Sequence, residues 1–486
     1  MIWPYFKLAG VLLLAALFNT TSGLHAAAGK TGLIFGVVWY TRAPSDATVA
    51  WAAKRFQIGI TGKDERIDQA AVKAHNSAFQ WFVYNSITDN YVSPHRGADE
   101  HAGLFDLARQ KGWDAEDAYL HYAEDTRLVL EGDTLFIPGW PHGRARSRAE
   151  ARIPVYARDG SRRLVNFSTP RSAELNKEVI SQLALDTPFQ GTHIYANGIF
   201  LDNAAARLFH FGEILSGGEV QEAGGIGIQS PAFQKWQWNK NLGPFLTSLK
   251  DTLEHSEIWT RDHERKRLMI NVSDVWDDSY VTRDTADILF LEFLYSPVRN
   301  LGLDAVNTAY VRDRLAADAG ISTFYAAQVI HSVPKRGEMS RDAALLGNFA
   351  WYLVSRTDTS IFFEKGSNAP HTPGWDTLVW RGCLETAARE LGQATGPPFA
   401  IAQGVDGAHN RYRVMARRYE NGFALVRNRA DWDQGLGPET AVAVKLPFPM
   451  TPVDASGRVG APVTEIEIRN GEGAIVLGRA AKERQS

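Results

Sequence analysis

Eight short runs rich in β-branched and aromatic residues recur along the first three-quarters of the chain, with helix-length stretches between them. They are Leu33–Tyr40, Phe56–Ile60, Phe79–Ser86, Gly198–Asn203, Leu268–Ser273, Ile288–Ser296, Ser322–His331 and Thr359–Glu364. Most are apolar without alternation, so both faces of each strand are expected to be buried, as in a parallel sheet enclosed between a barrel interior and a ring of helices. The repeated strand-then-helix pattern predicts an α/β fold, a (β/α)8 TIM barrel. Asp46–Arg55 reads as a short first helix, Pro231–His255 as a long one, and Ser340–Arg356 as an amphipathic helix capped by Ser340.

Two regions depart from this pattern. Residues 87–197 are too many for one crossover and predict an insertion. It holds the Trp113–Tyr122 segment, a strand-like pair (Thr134–Pro138 and Ile153–Ala157) around a basic stretch, and a helix near Ser172–Leu185. On the catalytic face of a barrel such an insertion shapes specificity; its plainer reading is an ornament on the outer surface. After Gly396-Pro397-Pro398 the helical pattern does not return. Tyr412–Arg418, Gly422–Asn428, Ala441–Pro447, Thr464–Ile468 and Ala474–Leu477 alternate and are separated by turn residues, which predicts a small all-β module, a β-sandwich. The expected organisation is a barrel over 29–395 with its insertion, and the β module over 396–486.

Composition narrows the function. Lys7, the apolar run Leu8–Phe18 and the small residues Ala26-Ala27-Ala28, an A-x-A-type cleavage site, read as a signal peptide over residues 1–28. The run is far shorter than the roughly 20 residues of a membrane span, so export to the periplasm or beyond is expected, with no stable membrane span after cleavage. Cys383 is the only cysteine, which excludes a disulfide framework and a lipoprotein anchor. A net charge of −3 with both signs mixed gives no basic surface for nucleic acid. The Gly224-Gly225-Ile226-Gly227 segment lacks the spacing of a phosphate loop. Fourteen tryptophans supply faces on which pyranose rings stack, although most are expected in the core. The expected partner is therefore a polysaccharide or oligosaccharide.

In a barrel the chemistry sits where strands end, so acidic strand ends are the candidates. The fourth run delivers Asp202 after Ile199-Phe200-Leu201, and the sixth carries Glu292 inside Ile288–Tyr295. A carboxylate set among that many apolar neighbours is costly to desolvate unless it is paired or functional. Asp202 has a structural alternative as a helix N-cap before Ala204-Ala205-Ala206, a role open to Asn203 instead. Two carboxylates across a cleft suffice to cleave a glycosidic bond without metal or organic cofactor: one protonates the leaving oxygen, and the other attacks the anomeric carbon or activates water. Asp274, Asp277 and Asp278 read first as a solvated loop, and Glu364 closes the eighth run. Asn271, at a strand end, is placed to hydrogen-bond substrate.

These residues carry a resemblance. Trp39-Tyr40 ending the first strand, Gly198–Asn203, Leu291-Glu292-Phe293 and the segment Arg418–Asn428 resemble uncharacterised glycoside hydrolase barrels distantly similar to the α-galactosidase-like clan and the endo-α-1,4-polygalactosaminidases. The resemblance implies that Asp202 is the nucleophile and Glu292 the acid/base of a retaining glycoside hydrolase. Apart from this pair, the residues expected to contact sugar are Trp39, Tyr40, Asn203, Asn271, Tyr295, His331 and Glu364. The α-galactosidase-like enzymes usually carry aspartate on the sixth strand, and Glu292 departs from that. The competing reading is a cell-envelope barrel that binds polysaccharide without cleaving it, and the discriminating feature is convergence of Asp202 and Glu292. A metal-dependent hydrolase using His193, His210 and His331 is disfavoured because their spacing matches no ligand motif.

Overall fold

The computed structural model describes residues 32–39, 45–62, 66–91, 107–122, 162–183, 187–204, 219–228, 230–255, 266–272, 284–292, 303–328, 339–365, 382–427 and 437–478. The expected signal peptide, Thr134–Pro138, Ile153–Ala157, Asp274, Asp277 and Asp278 lie outside the described residues. Among those described, no helix is long and apolar enough to cross a membrane.

Eight strands form a closed barrel in chain order: β1 (Ile34–Trp39), β2 (Ile58–Thr61), β3 (Gln80–Ser86), β4 (Gly198–Asp202), β5 (Arg267–Asn271), β6 (Ile288–Glu292), β7 (Ser322–Gln328) and β8 (Ile361–Lys365). The pairs β1/β2, β3/β4, β4/β5, β7/β8 and β8/β1 run parallel. Helices stand between most successive strands: α1 (Asp46–Ala53), α2 (Arg66–His75), α3 (Pro170–Leu183), α4 (Pro231–Trp236), α5 (Gly243–His255), α6 (Ala305–Asp318) and α7 (Arg341–Ser355). A further helix, α8 (Gly382–Glu390), follows β8. Among the described residues none lies between β5 and β6. Ser45 and Ser340 cap α1 and α7 by accepting the Thr48 and Ala343 amide N–H groups.

The chain clusters into two compact units, Phe82–Leu289 and Met1–Trp81 with Phe290–Ser486. In the first, the expected long helix over Pro231–His255 is interrupted: Gln237–Leu242 is π-helical and joins α4 to α5. The Gly243 N–H reaches back to the Trp238 carbonyl, five residues earlier, and a Cβ at Gly243 would lie 2.6 Å from that oxygen. The wider turn precedes Pro244, which has no N–H to continue an α ladder. It also turns Asn241 inward, where its amide donates to Gln237 and its carbonyl accepts the Phe167 N–H. The insertion is built from small pairings, Asp89–Tyr91 with Arg162–Leu164 and a single bridge from Tyr119 to Val165, and Tyr122 bridges it to Val220 beyond β4. Glu222, beyond β4, fastens the insertion to that later segment, accepting the backbone N–H of buried His121 at 2.9 Å and meeting His121 Nδ1 at 2.7 Å.

In the second unit, Phe324 on β7 packs on Phe290 at 4.9 Å between ring centres. It occupies the space in front of Gly36, where a Cβ would come within 2.4 Å of the ring. The C-terminal strands are β9 (Phe399–Val405), β10 (Arg411–Tyr419), β11 (Gly422–Arg427), β12 (Val442–Val453), β13 (Val463–Ile468) and β14 (Gly473–Leu477), ordered β9-β10-β11-β14-β12-β13. The expected sandwich is instead one antiparallel sheet. Long β12 pairs first with β13 and then, over Thr451–Val453, with β14, so the sheet curls over a core that includes Val414, Leu425, Val444, Met450, Ile468 and Val476. Helix α7 lies directly on this sheet. A Cβ at Gly347 would stand 2.8 Å from the Gly471 carbonyl, and one at Gly473 would stand 2.5 Å from Ala350 Cβ. Tyr419 Oη donates to the Leu353 carbonyl at 2.6 Å, and Arg417 to the Arg356 carbonyl.

Candidate active site

Three neighbouring strands end in polar residues. Ser86 of β3 lies in register with Asp202 of β4, and the ladder from β4 to β5, Leu201 opposite Ile270, brings Asn271 to the same level. Directly beneath this row the side chains are apolar: Phe200 is 1 % exposed and Met269 fully buried, while the Tyr84 ring lies 5.6 Å from that of Phe200. Asp202 thus emerges half-buried from a strand whose three preceding residues are in the core.

The chain then turns sharply. Asn203 adopts φ +56°, a left-handed conformation that asparagine tolerates better than most residues. This is not the extended geometry of a helix N-cap, the role sequence left open for it. The turn is held from both sides: the Asp202 carbonyl accepts the Ile87 N–H at 3.1 Å, the Asn203 carbonyl accepts Thr88 Oγ1 at 2.7 Å, and the Ala204 N–H donates to the Asn271 carbonyl at 2.8 Å. Its consequence is to aim the Asn203 N–H at Asp202 Oδ1, at 2.9 Å.

Asp202 is the hub of the cluster. Oδ1 accepts from the Asn203 N–H and from Asn271 Nδ2, the latter at 2.7 Å. Oδ2 accepts from Tyr84 Oη at 2.8 Å. All three are bonds the carboxylate receives, the pattern of a nucleophile or base rather than of a proton donor. With two donors on one oxygen, Oδ1 is anchored and the carboxylate plane is fixed. Oδ2, which accepts one bond among the described residues, keeps acceptor capacity for a reacting atom.

Asn203 and Asn271, expected to contact sugar, are therefore brought onto Asp202; the Asn203 amide reaches Ser86 Oγ at 3.4 Å. Tyr84 is the member that sequence reasoning missed. Its signal was the polar ending Tyr84-Asn85-Ser86 on an otherwise apolar strand. Glu292 and Trp39 are the last residues of β6 and β1, and Glu364 the penultimate residue of β8. The side chains of these three lie outside the described residues, as do Tyr40, Tyr295, His210 and His331 altogether. His193 is exposed on a hairpin, paired with Pro188. Among the described residues no group of three or more His, Cys, Asp or Glu is placed to hold a metal ion.

No protein-family model matches the chain, and no curated protein is similar to it. Among solved structures it is similar to the glycoside hydrolase domain of PelA from Pseudomonas aeruginosa, with 12% identity and a TM-score of 0.35 over 70% of this chain and 97% of that one. It is also similar to the glycoside hydrolase family 30 subfamily 8 xylanase Xyn30A from Clostridium acetobutylicum, with 10% identity and a TM-score of 0.36 over 92% of this chain and 96% of the xylanase. Likeness at this level carries neither activity nor site residues across, so the reading of the site rests on its own geometry.

Proposed function

We infer that the protein is an exported glycoside hydrolase that cleaves a polysaccharide or oligosaccharide with retention, using Asp202 as nucleophile and Glu292 as acid/base. The observation that carries this reading is the Asp202 carboxylate itself, anchored through Oδ1 by Asn271 and the Asn203 N–H at the end of a barrel strand, with Oδ2 held by a single phenol. In the first step Oδ2 forms a bond to the anomeric carbon while the glycosidic C–O bond breaks, and the leaving oxygen takes a proton from Glu292. In the second, a water oxygen bonds to the same carbon, its proton passes to the Glu292 carboxylate, and the electron pair of the C–Oδ2 bond returns to Asp202. Fixing the carboxylate before substrate arrives removes an orientational cost from the first step.

The test is hydrolysis of a panel of exopolysaccharides and aryl glycosides by the mature protein beside Asp202→Asn and Glu292→Gln. The expected result is wild-type cleavage that falls by about 10⁴-fold or more in Asp202→Asn, with circular dichroism unchanged. Glu292→Gln should lose activity on polysaccharides; on substrates whose leaving group needs no proton it should keep much of its kcat/KM while kcat falls, because the second step has lost its base. Binding of a glycan without cleavage by the wild type would favour the non-catalytic barrel instead.

A further inference from the structure

We propose that Tyr84 is a positioning residue that acts mainly on the second half of the reaction, the release of Asp202 from the sugar; this rests on the nucleophile role given to Asp202 above. The argument starts from the asymmetry of the carboxylate. Oδ1 has two donors, one of them a backbone N–H pinned within a tight turn, whereas the only donor to Oδ2 among the described residues is the Tyr84 phenol, at 2.8 Å. Tyr84 is carried on β3, two residues before Ser86, which lies in register with Asp202, and its ring is braced against Phe200. The phenol therefore donates to Oδ2 of Asp202 from a fixed scaffold.

A hydrogen bond to a charged acceptor is stronger than one to a neutral acceptor, and an ester-type oxygen is a poor acceptor. When Oδ2 bonds to the anomeric carbon, the Tyr84 bond is therefore weakened. It is regained as the C–Oδ2 bond breaks and negative charge returns to Oδ2. The phenol stabilises the free carboxylate in full, each transition state in part, and the glycosyl-enzyme least. Its removal leaves attack by Asp202 little changed, because the starting carboxylate loses at least as much as the transition state. Departure of Asp202 slows, because only the transition state of that step loses stabilisation.

The test is steady-state and burst kinetics of wild type and Tyr84→Phe on whichever 2,4-dinitrophenyl glycoside the wild type cleaves, with intact-mass analysis of the quenched enzyme. Tyr84→Phe should lower kcat by about tenfold or more, the scale of one hydrogen bond to a charged group. KM should fall in step, so that kcat/KM stays within a few-fold of wild type. The variant should also show a burst of dinitrophenol and carry one glycosyl unit on the peptide containing Asp202. A parallel drop in kcat and kcat/KM without an adduct overturns the proposal and leaves Tyr84 as a scaffold for attack; unchanged kinetics overturn it outright. Asp202→Asn distinguishes failure at Tyr84 from failure of the underlying reading. If that variant still turns over, or if the wild type transfers no glycosyl group at all, Asp202 is not the nucleophile and the role of Tyr84 falls with it.

Discussion

Asp202 at the end of β4 and Asp406 just past the end of β9 are short carboxylates in comparable places along a strand, yet their surroundings differ sharply. Asp406 is 7 % exposed and its acceptor capacity is filled: Oδ1 takes the Ala408 and Asn410 N–H groups, and Oδ2 takes Asn410 Nδ2 and the guanidinium of Arg427, itself 1 % exposed. Burial works against the charge of Asp406, but the Asn410 N–H and Arg427 outweigh it and hold the carboxyl below its ordinary range. Asp202 is half-buried, is faced by no described cation, and accepts three bonds through two oxygens of unequal commitment. Burial alone does not separate a structural carboxylate from a reactive one. In the proposed reading, what separates them is the acceptor capacity that Asp202 Oδ2 retains and Asp406 does not.

The contrast makes the two residues fail differently. Beyond the large loss of activity expected of Asp202→Asn, Asp406→Ala should destabilise the fold by about 3–5 kcal/mol, because it leaves Arg427 buried without its counter-charge. Urea unfolding measures this, and turnover per folded molecule should be unchanged. The same pair predicts acid sensitivity. A carboxyl whose folded pKa is depressed contributes stability that is fully present above its unfolded pKa of about 3.9 and is lost as pH falls through the folded value. Asp406→Ala should flatten that part of the stability profile below about pH 4.

Asn271→Ala should fall on the other side of the divide, lowering kcat by about 100-fold through loss of carboxylate alignment while costing only about 1 kcal/mol of stability. A variant that lost stability and activity in equal measure would make Asn271 a structural residue and weaken the contrast. The smallest effect on activity is expected where α7 packs on the C-terminal sheet. Gly473→Ala drives a methyl group into Ala350 and should cost about 1–3 kcal/mol in thermal unfolding with no change in turnover.

Much of the barrel was legible in the sequence, because strands buried on both faces read as unbroken apolar runs; β3, β4, β5 and β6 begin within a residue of where those runs begin. The C-terminal sheet was less so. β9 is mostly exposed along its length and carries an irregularity between Ala400 and Ala402, so it lacks the alternation that marks a half-buried strand. β12 runs on through Pro447 and Pro449, residues that sequence rules assign to strand ends, because they fall between Lys445 and Met450, where its pairing with β13 shifts register. At the site, Asp202 and Asn271 were visible as polar strand ends. Tyr84 was not, because a tyrosine on an apolar strand reads as core, and its bond to Asp202 spans 118 positions that no local pattern connects.

The most direct test of the central claim is to inactivate the mature protein with a 2,4-dinitrophenyl 2-deoxy-2-fluoroglycoside of the sugar it cleaves and to map the modified peptide. The account predicts one glycosyl unit attached to Asp202, on the peptide carrying Gly198–Asp202. An adduct on Glu292, Glu364 or any other carboxylate, with Asp202 unmodified, would contradict it.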